Sequence, residues 1–213
     1  MTDDISLFDA MYAQRAIRRF KPDPVPQEAI ERILEAAVRA PSGGNRQSWS
    51  FIVIRDPEIK AKFGEWYLDS WGSSYVPGLG KTTSTPIMSS AEYLAHHLAE
   101  TPVLILGCVQ RSKGRLPGLS QWGTIFPAIQ NLMLAALSLG LGTVLTTMHF
   151  FHEAEAKELL GIPEEVDTAC LIPLGYPAEG EHFGGARRRP IADVTHYDRW
   201  GQGRPKRSFG PRI

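Results

Sequence analysis

Three arginines fall within Arg15-Ala16-Ile17-Arg18-Arg19-Phe20, just past a short apolar segment. A guanidinium stays charged at any physiological pH and presents a planar fork of N–H donors, so such a cluster suits capture of a phosphate. Alone it reads equally well as a solvated charge run. A second cluster, Arg187-Arg188-Arg189-Pro190, stands far along the chain and gains meaning only as a partner of the first. Between them lies Ala40-Pro41-Ser42-Gly43-Gly44-Asn45-Arg46-Gln47-Ser48-Trp49. Its glycines permit unusual backbone conformations and close approach of a ligand to the main chain. Asn45 and Gln47 add amides that both donate and accept, as the polar edge of a flat heterocycle requires. The plainer reading of this stretch is a helix-to-strand turn.

Other chemistries fit worse. Gly140-Leu141-Gly142 follows a helical pattern and precedes a strand pattern, the wrong order for a dinucleotide fingerprint. No GxxxxGK[ST] loop and no nucleophile elbow occur. His96 and His97 are adjacent and point to different helix faces. His149 and His152 have ligand-like spacing, but nothing completes a metal site, so a structural or surface role is expected. Cys108 and Cys170 lie in apolar runs and read as buried thiols. Twenty-three basic and 23 acidic residues cancel, so no net field draws nucleic acid or an anionic membrane. The acidic start Met1-Thr2-Asp3-Asp4 has no apolar stretch after it, and no run approaches the roughly 20 residues of a membrane span. The expectation is one cytoplasmic domain over residues 1–213.

The elements that must position these groups follow from periodicity. Ser6 caps a short helix reaching Tyr12, and Lys21 to Pro26 form a turn. From Gln27, Ile30, Ile33, Leu34, Ala37 and Val38 keep one helical face, with Pro26 at the first helical position and Pro41 as the stop. Trp49 to Ile54 reads as a strand, and Asp56-Pro57 opens a helix. Gly72 to Ser90, rich in Gly, Ser, Thr and Pro, is expected to be a lid that sets acceptor choice. Ala91 to Glu100 is helical and Val103 to Val109 a buried strand. Ile125 to Leu139 is apolar on nearly all sides, which implies a central helix or one buried between subunits. Thr143 to Thr147 reads as a strand, Glu153 to Leu160 as a helix, Thr168 to Leu174 as a strand, and the basic tail begins near Gly184. Helices and strands in this mixed order give an α+β or α/β sandwich.

The ordered set of Arg-x-x-Arg-Arg-Phe, Ala-Pro-Ser-Gly-x-Asn-x-Gln-x-Trp, Gly-Leu-Gly-Thr, Leu-Gly-Tyr-Pro and Arg-Arg-Pro resembles the nitroreductase family of FMN-dependent oxidoreductases. The resemblance implies a two-layer α+β sandwich, a mostly antiparallel sheet flanked by helices, in a homodimer that buries the Ile125–Leu139 helix. It implies that Arg15, Ala16, Arg18, Arg187 and Arg188 lie near the FMN phosphate and ribityl chain. Pro41, Ser42, Gly43, Asn45 and Gln47 would line the isoalloxazine. Leu145, Thr146 and Thr147 would meet its N5 and O4 side, and Gly175 would turn near the cofactor. Family members often carry Ser where this chain has Ala16, so one hydroxyl contact is missing. The implied activity is ping-pong: NADH or NADPH reduces FMN, and a nitroaromatic, quinone or related acceptor then takes the electrons. No residue is singled out as acid, base or metal ligand. The alternatives are a flavin-holding protein without turnover and a specialised reductase of the same fold, such as a dehalogenase or an enoate reductase.

Overall fold

Four strands, β1 (Trp49–Ile54), β2 (Val103–Gln110), β3 (Gly142–Thr143) and β4 (Val166–Gly175), form an antiparallel sheet in the order β1-β2-β4-β3. The structure is a computed structural model that describes residues 5–73, 85–111 and 119–203. Six helices accompany the strands among these residues: α1 (Leu7–Ala13), α2 (Gln27–Ala37), α3 (Pro57–Ser73), α4 (Pro86–His97), α5 (Leu119–Ser138) and α6 (Glu153–Leu160).

The central strands are apolar nearly throughout because both faces of the sheet are covered. On β2, Val103, Ile105 and Val109 pack in one core with α2 and α5. The alternate residues Leu104, Leu106 and Cys108 pack in a second core with α3, α4 and Ala156 of α6. On β4, Cys170, Ile172 and Leu174 join the first core and Leu171 the second. The sheet is therefore flanked by helices as expected, but in three layers, which corrects the two-layer expectation. Burial pushes the two thiols up, Cys108 to about 11 and Cys170 to about 12, so both stay protonated.

Local signals place most helix starts. The Ser6 hydroxyl accepts from Asp9 N at 3.2 Å and caps α1. The Asp56 carboxylate accepts from Glu58 N and Ile59 N at 2.8 and 3.1 Å and starts α3. Pro26 is the N-cap of α2 and lies one residue outside it, with extended ψ 146°. α2 ends at Ala37, ahead of Pro41. Both ends of the expected Gly72–Ser90 lid are helical: α3 runs to Ser73, and Thr85 caps α4, its hydroxyl accepting from Met88 N at 3.2 Å. The remainder of that expectation, residues 74–84, lies outside the described residues.

The strand expected over Thr143–Thr147 pairs regularly only at Gly142 and Thr143. It returns as a single bridge between Thr146 and Leu171, then turns into a short 3-10 helix at Met148. In α5, Ile125, Ile129, Leu132 and Ala136 are fully buried within this chain. Its apolar content thus serves the chain's own core first, and Phe126 is its large exposed apolar side chain among the described residues.

His149 and His152 serve separate contacts. His152 Nε2 meets Asp69 at 2.9 Å and joins α6 to α3. His149 is 2% exposed; its Nε2 lies 3.1 Å from Thr168 Oγ1, which donates to Glu153 Oε1 at 2.7 Å. Its Nδ1 is buried without a hydrogen-bond partner among the described residues.

Two outcomes follow from this packing. A Cβ at Gly142 would sit 2.7 Å from Cγ2 of the fully buried Ile17, so Gly142→Ala is expected to cost roughly 1–3 kcal/mol in urea unfolding. Gly123 in α5 has open space, and Gly123→Ala should stabilise by up to about 1 kcal/mol; equal effects at the two sites would refute the close-approach argument. Burial holds His149 down at about 4 from 6.5, so the folded protein keeps it neutral. The unfolded chain takes up that proton first. Stability should therefore be full above about pH 7, decline between 6.5 and 4, and level off below. His149→Gln should flatten that decline by on the order of 2–3 kcal/mol; an unchanged pH profile in the variant would rule His149 out.

Candidate functional site

The first arginine cluster is laced to one end of the sheet by its backbone. Ile17 N donates to Thr143 O at 3.0 Å, and Ala16 bridges Thr143 in parallel. Lys21 N donates to Tyr176 O at 2.8 Å and Ala178 N to Arg19 O at 2.9 Å. Ile17 plugs the core while Arg15 and Arg18 stay partly accessible. Gly175 belongs to the same end. A Cβ there would lie 2.9 Å from Pro102 Cδ and 3.2 Å from Phe20 Cδ1, so the chain passes only because the side chain is missing.

Arg15 Nη1 donates to Gly184 O at 3.2 Å and lies 3.3 Å from His182 Nε2. Gly184 N returns a bond to Ala13 O. The base of the tail is thereby fixed beside Arg15, and Arg187 and Arg188 follow it, both exposed. Arg188 Nη1 donates to Arg187 O at 3.0 Å. Arg18 is partly desolvated, which lowers its pKa, with the Tyr67 phenol acting in the opposite sense. Arg19 lies over the Tyr93 ring at 4.5 Å, a packing role.

Of Leu145, Thr146 and Thr147, the outer two are exposed and the middle one is buried. The Thr146 hydroxyl donates to Tyr67 Oη at 3.0 Å. Thr146 thus positions the segment, and the side chains open to a ligand are those of Leu145 and Thr147. Tyr67, on α3, was not among the expected site residues. Its only sequence signal is a place on the apolar face of that helix.

The amide-bearing loop is preformed and strained. Gly44, Asn45 and Gln47 have φ of 61°, 53° and 49°, the left-handed region that non-glycine residues seldom occupy. Ser42 Oγ accepts from Gln47 N at 3.1 Å, and Gln47 Nε2 donates to Asn45 Oδ1 at 3.1 Å. Pro41, Gly43, Asn45 and Gln47 are exposed and Ser42 half-buried. A cavity of about 310 Å³ opens against Gly43, walled by Arg46, Ser48, Arg111 and Ser120. These four were also outside the expected set, although Arg46 and Ser48 lie inside the motif itself.

The expected residues therefore form two sets that one chain does not bring together. The loop leads into β1 where Trp49 pairs with Val109, whereas Arg15–Arg18 and Gly175 lie beyond the pairing of Val103 with Leu174. The sets stand at diagonally opposite corners of the sheet. They are roughly 20 Å apart along the strands and a similar distance across them, at about 3.3 Å per residue and 4.8 Å per strand.

Known proteins resemble this chain in sequence and in fold. The chain is 30% identical to iodotyrosine deiodinase 1 of Rattus norvegicus over 88% of this chain and 67% of that one. It is 31% identical to an NADH dehydrogenase of Thermus thermophilus, covering 80% of this chain and 86% of that protein. Its fold superposes on an iodotyrosine deiodinase solved with FMN and 3-iodo-L-tyrosine at a TM-score of 0.72 and 24% identity, over 90% of this chain and 100% of the other. The sequence model of the nitroreductase family matches residues 12–176, a span that runs from the first arginine cluster past Gly175. On that match, the chain belongs to the nitroreductase family.

Proposed function

We propose that the protein is an FMN-dependent oxidoreductase, working as a homodimer, that carries electrons from NADH or NADPH to an electrophilic organic acceptor. The observation that carries this reading is the split site: a phosphate-gripping corner and an amide-presenting corner, each built, too far apart in one chain to meet one ligand. A second copy supplies the missing corner, so that the Ser42–Gln47 loop of one protomer faces the arginine corner of its partner. Apolar exposure supports the pairing. On α1, Leu7, Phe8 and Tyr12 are 61, 66 and 76% exposed, and Trp200 in the tail is 91% exposed. Surfaces of this kind belong in contact with another chain.

The residues suit FMN in kind. Arg15 and Arg18 offer charged forks to the phosphate, with Arg187 and Arg188 on the tail tethered beside Arg15. Ala16 brings no hydroxyl, so the guanidinium groups hold the phosphate. Asn45, Gln47 and the backbone of Gly43 offer donors and acceptors to the edge of the ring, and Leu145 and Thr147 are open at the other corner. Bound FMN supplies the electron transfer, from nicotinamide nucleotide in one half-reaction and to the acceptor in the other. The chain's task is to hold, orient and shield it. No side chain is assigned a proton transfer.

The likeness to iodotyrosine deiodinase favours a second reading within the same class, reductive dehalogenation of a halogenated aromatic. Purified protein assayed anaerobically with NADH and NADPH, then with nitroaromatic, quinone and halotyrosine acceptors, separates these readings. Reduction with no acceptor turned over would leave a flavin-holding protein.

The protein should be yellow and release FMN on denaturation. Arg18→Ala and Arg188→Ala should each weaken FMN binding by about ten- to a hundredfold, from roughly 1.5–3 kcal/mol per charge-assisted contact. Arg55 donates to Val25 O at 3.0 Å away from both corners, and Arg55→Ala should leave FMN affinity within about twofold. Equal losses in all three would show general charge at work. Sedimentation should give a dimer carrying FMN; a folded monomer that retains FMN would end the shared-site reading.

A further inference from the structure

Among the described residues, the cavity beside Gly43 carries side-chain donors without an acceptor. Arg111 grips Asp167 through one edge of its guanidinium, Nε and Nη2 donating to Oδ1 at 3.0 and 2.7 Å. Gln121 Nε2 donates to the other oxygen at 2.7 Å. Burial opposes ionisation of Asp167, but the bonds from Arg111 and Gln121 outweigh it and hold the carboxyl below its ordinary value. Arg111 thus pairs with Asp167 and also feels the charges of Glu164 and Glu153, and its Nη1 makes no hydrogen bond among the described residues. The Arg46 side chain makes no ion pair or hydrogen bond among the described residues, where its backbone N alone donates, to Gly43 O at 3.4 Å. The Ser48 and Ser120 hydroxyls likewise have no partner there. Ser120 Oγ lies 3.1 Å from where a Gly43 Cβ would stand, so it faces the loop. Two guanidinium groups and two hydroxyls around about 310 Å³ describe a receptor for an oxyanion of small-molecule size.

We infer that this cavity takes the anionic group of a reactant stacked at the ring site, either the carboxylate of an acceptor or the 2′-phosphate that distinguishes NADPH from NADH, with Arg46 as the discriminating contact. The inference rests on the reading that the Ser42–Gln47 loop meets the flavin. Gly43 is both part of that loop and a wall of the cavity, so a molecule lying on the ring reaches the cavity without a further channel. Arg111, fixed by Asp167, sets the position of the anion. Arg46, on the loop itself, brings the guanidinium that makes no ion pair among the described residues.

The test compares reactants that differ by one anionic group. Holoprotein is assayed with 4-nitrobenzoate and nitrobenzene as acceptors, and with NADPH and NADH as donors, for wild type, Arg46→Ala and Arg46→Lys. A fall of tenfold or more in the 4-nitrobenzoate to nitrobenzene ratio of kcat/KM in Arg46→Ala, carried mainly by KM and partly restored in Arg46→Lys, assigns the anion to the acceptor. The same fall in the NADPH to NADH ratio of the reductive half-reaction assigns it to the nucleotide. Both ratios within twofold of wild type overturn the inference, as does an equal loss with charged and neutral reactants. If the wild type holds no flavin, the ring reading fails by itself. The cavity is then judged by calorimetric titration of the isolated protein with 4-nitrobenzoate: binding at least tenfold weaker in Arg46→Ala upholds it, and equal binding overturns it.

Discussion

The contact between Ile17 and Gly142 fixes the functional half of the sheet. Ile17 is fully buried, and its β carbon would lie 2.8 Å from a Cβ at position 142, closer than two side chains can approach. That closeness lets Ile17 N reach Thr143 O and draws the extended run Arg15–Phe20 alongside the sheet edge. A buried aliphatic anchor between two arginines does what the guanidinium groups cannot do for themselves. Long charged side chains have no fixed geometry in water, and a phosphate site needs their bases held still. Gly175 performs the matching service from the other side, admitting Phe20 and Pro102 where any side chain would collide. Glycines at 142 and 175, opposite each other in register, let the end of the sheet accept an extra segment.

That same anchoring sends the arginine corner away from the amide loop. Because β1 and the Arg15–Arg18 run occupy opposite flanks of the sheet, no adjustment of side chains closes the gap. On the proposed reading, folding of one chain completes two half-sites and no whole one. The exposed apolar side chains of α1 lie on the helix whose end, Ala13, accepts the bond from Gly184, so the surface available for a partner and the phosphate corner are adjoining parts of one region. Association and cofactor binding share the same elements in this reading.

Much of the fold was legible in the sequence because helix starts are local. Ser6, Asp56 and the Ile30–Ile33–Ala37 face act within one or two turns, and their neighbours in sequence are their neighbours in space. The layer count was harder. Unbroken apolarity in Val103–Val109 signals burial on both faces, but a helix on each face is a long-range fact. The 143–147 strand failed beyond Thr143 because pairing with β4 depends on a partner more than 20 residues away, and nothing in Val144-Leu145 marks its interruption. Candidate residues within motifs, such as Arg18 and Asn45, could be named by type. Their separation could not be read, since it depends on strand order. Tyr67 was invisible because its role rests on a hydrogen bond from Thr146 across 79 positions. Arg111 became visible only when β2 carried it against the loop.

The strain in the Ser42–Gln47 loop makes sense in the same terms. A loop exposed to water and free to relax would not keep Asn45 and Gln47 at positive φ, since each costs on the order of 1 kcal/mol or more. Here Ser42 ties the loop to itself, and β1 and its neighbour on β2 hold the downstream end through the bond from Gln110 N to Ser48 O at 2.8 Å. The conformational cost is thus met by folding, before any ligand arrives. Donors held in place need no ordering when a ring meets them, and the proposed shared site asks for a rigid loop. Strain at an exposed loop with no buried side chain to fill would be a defect in a bystander; in the proposed shared site it is preorganisation.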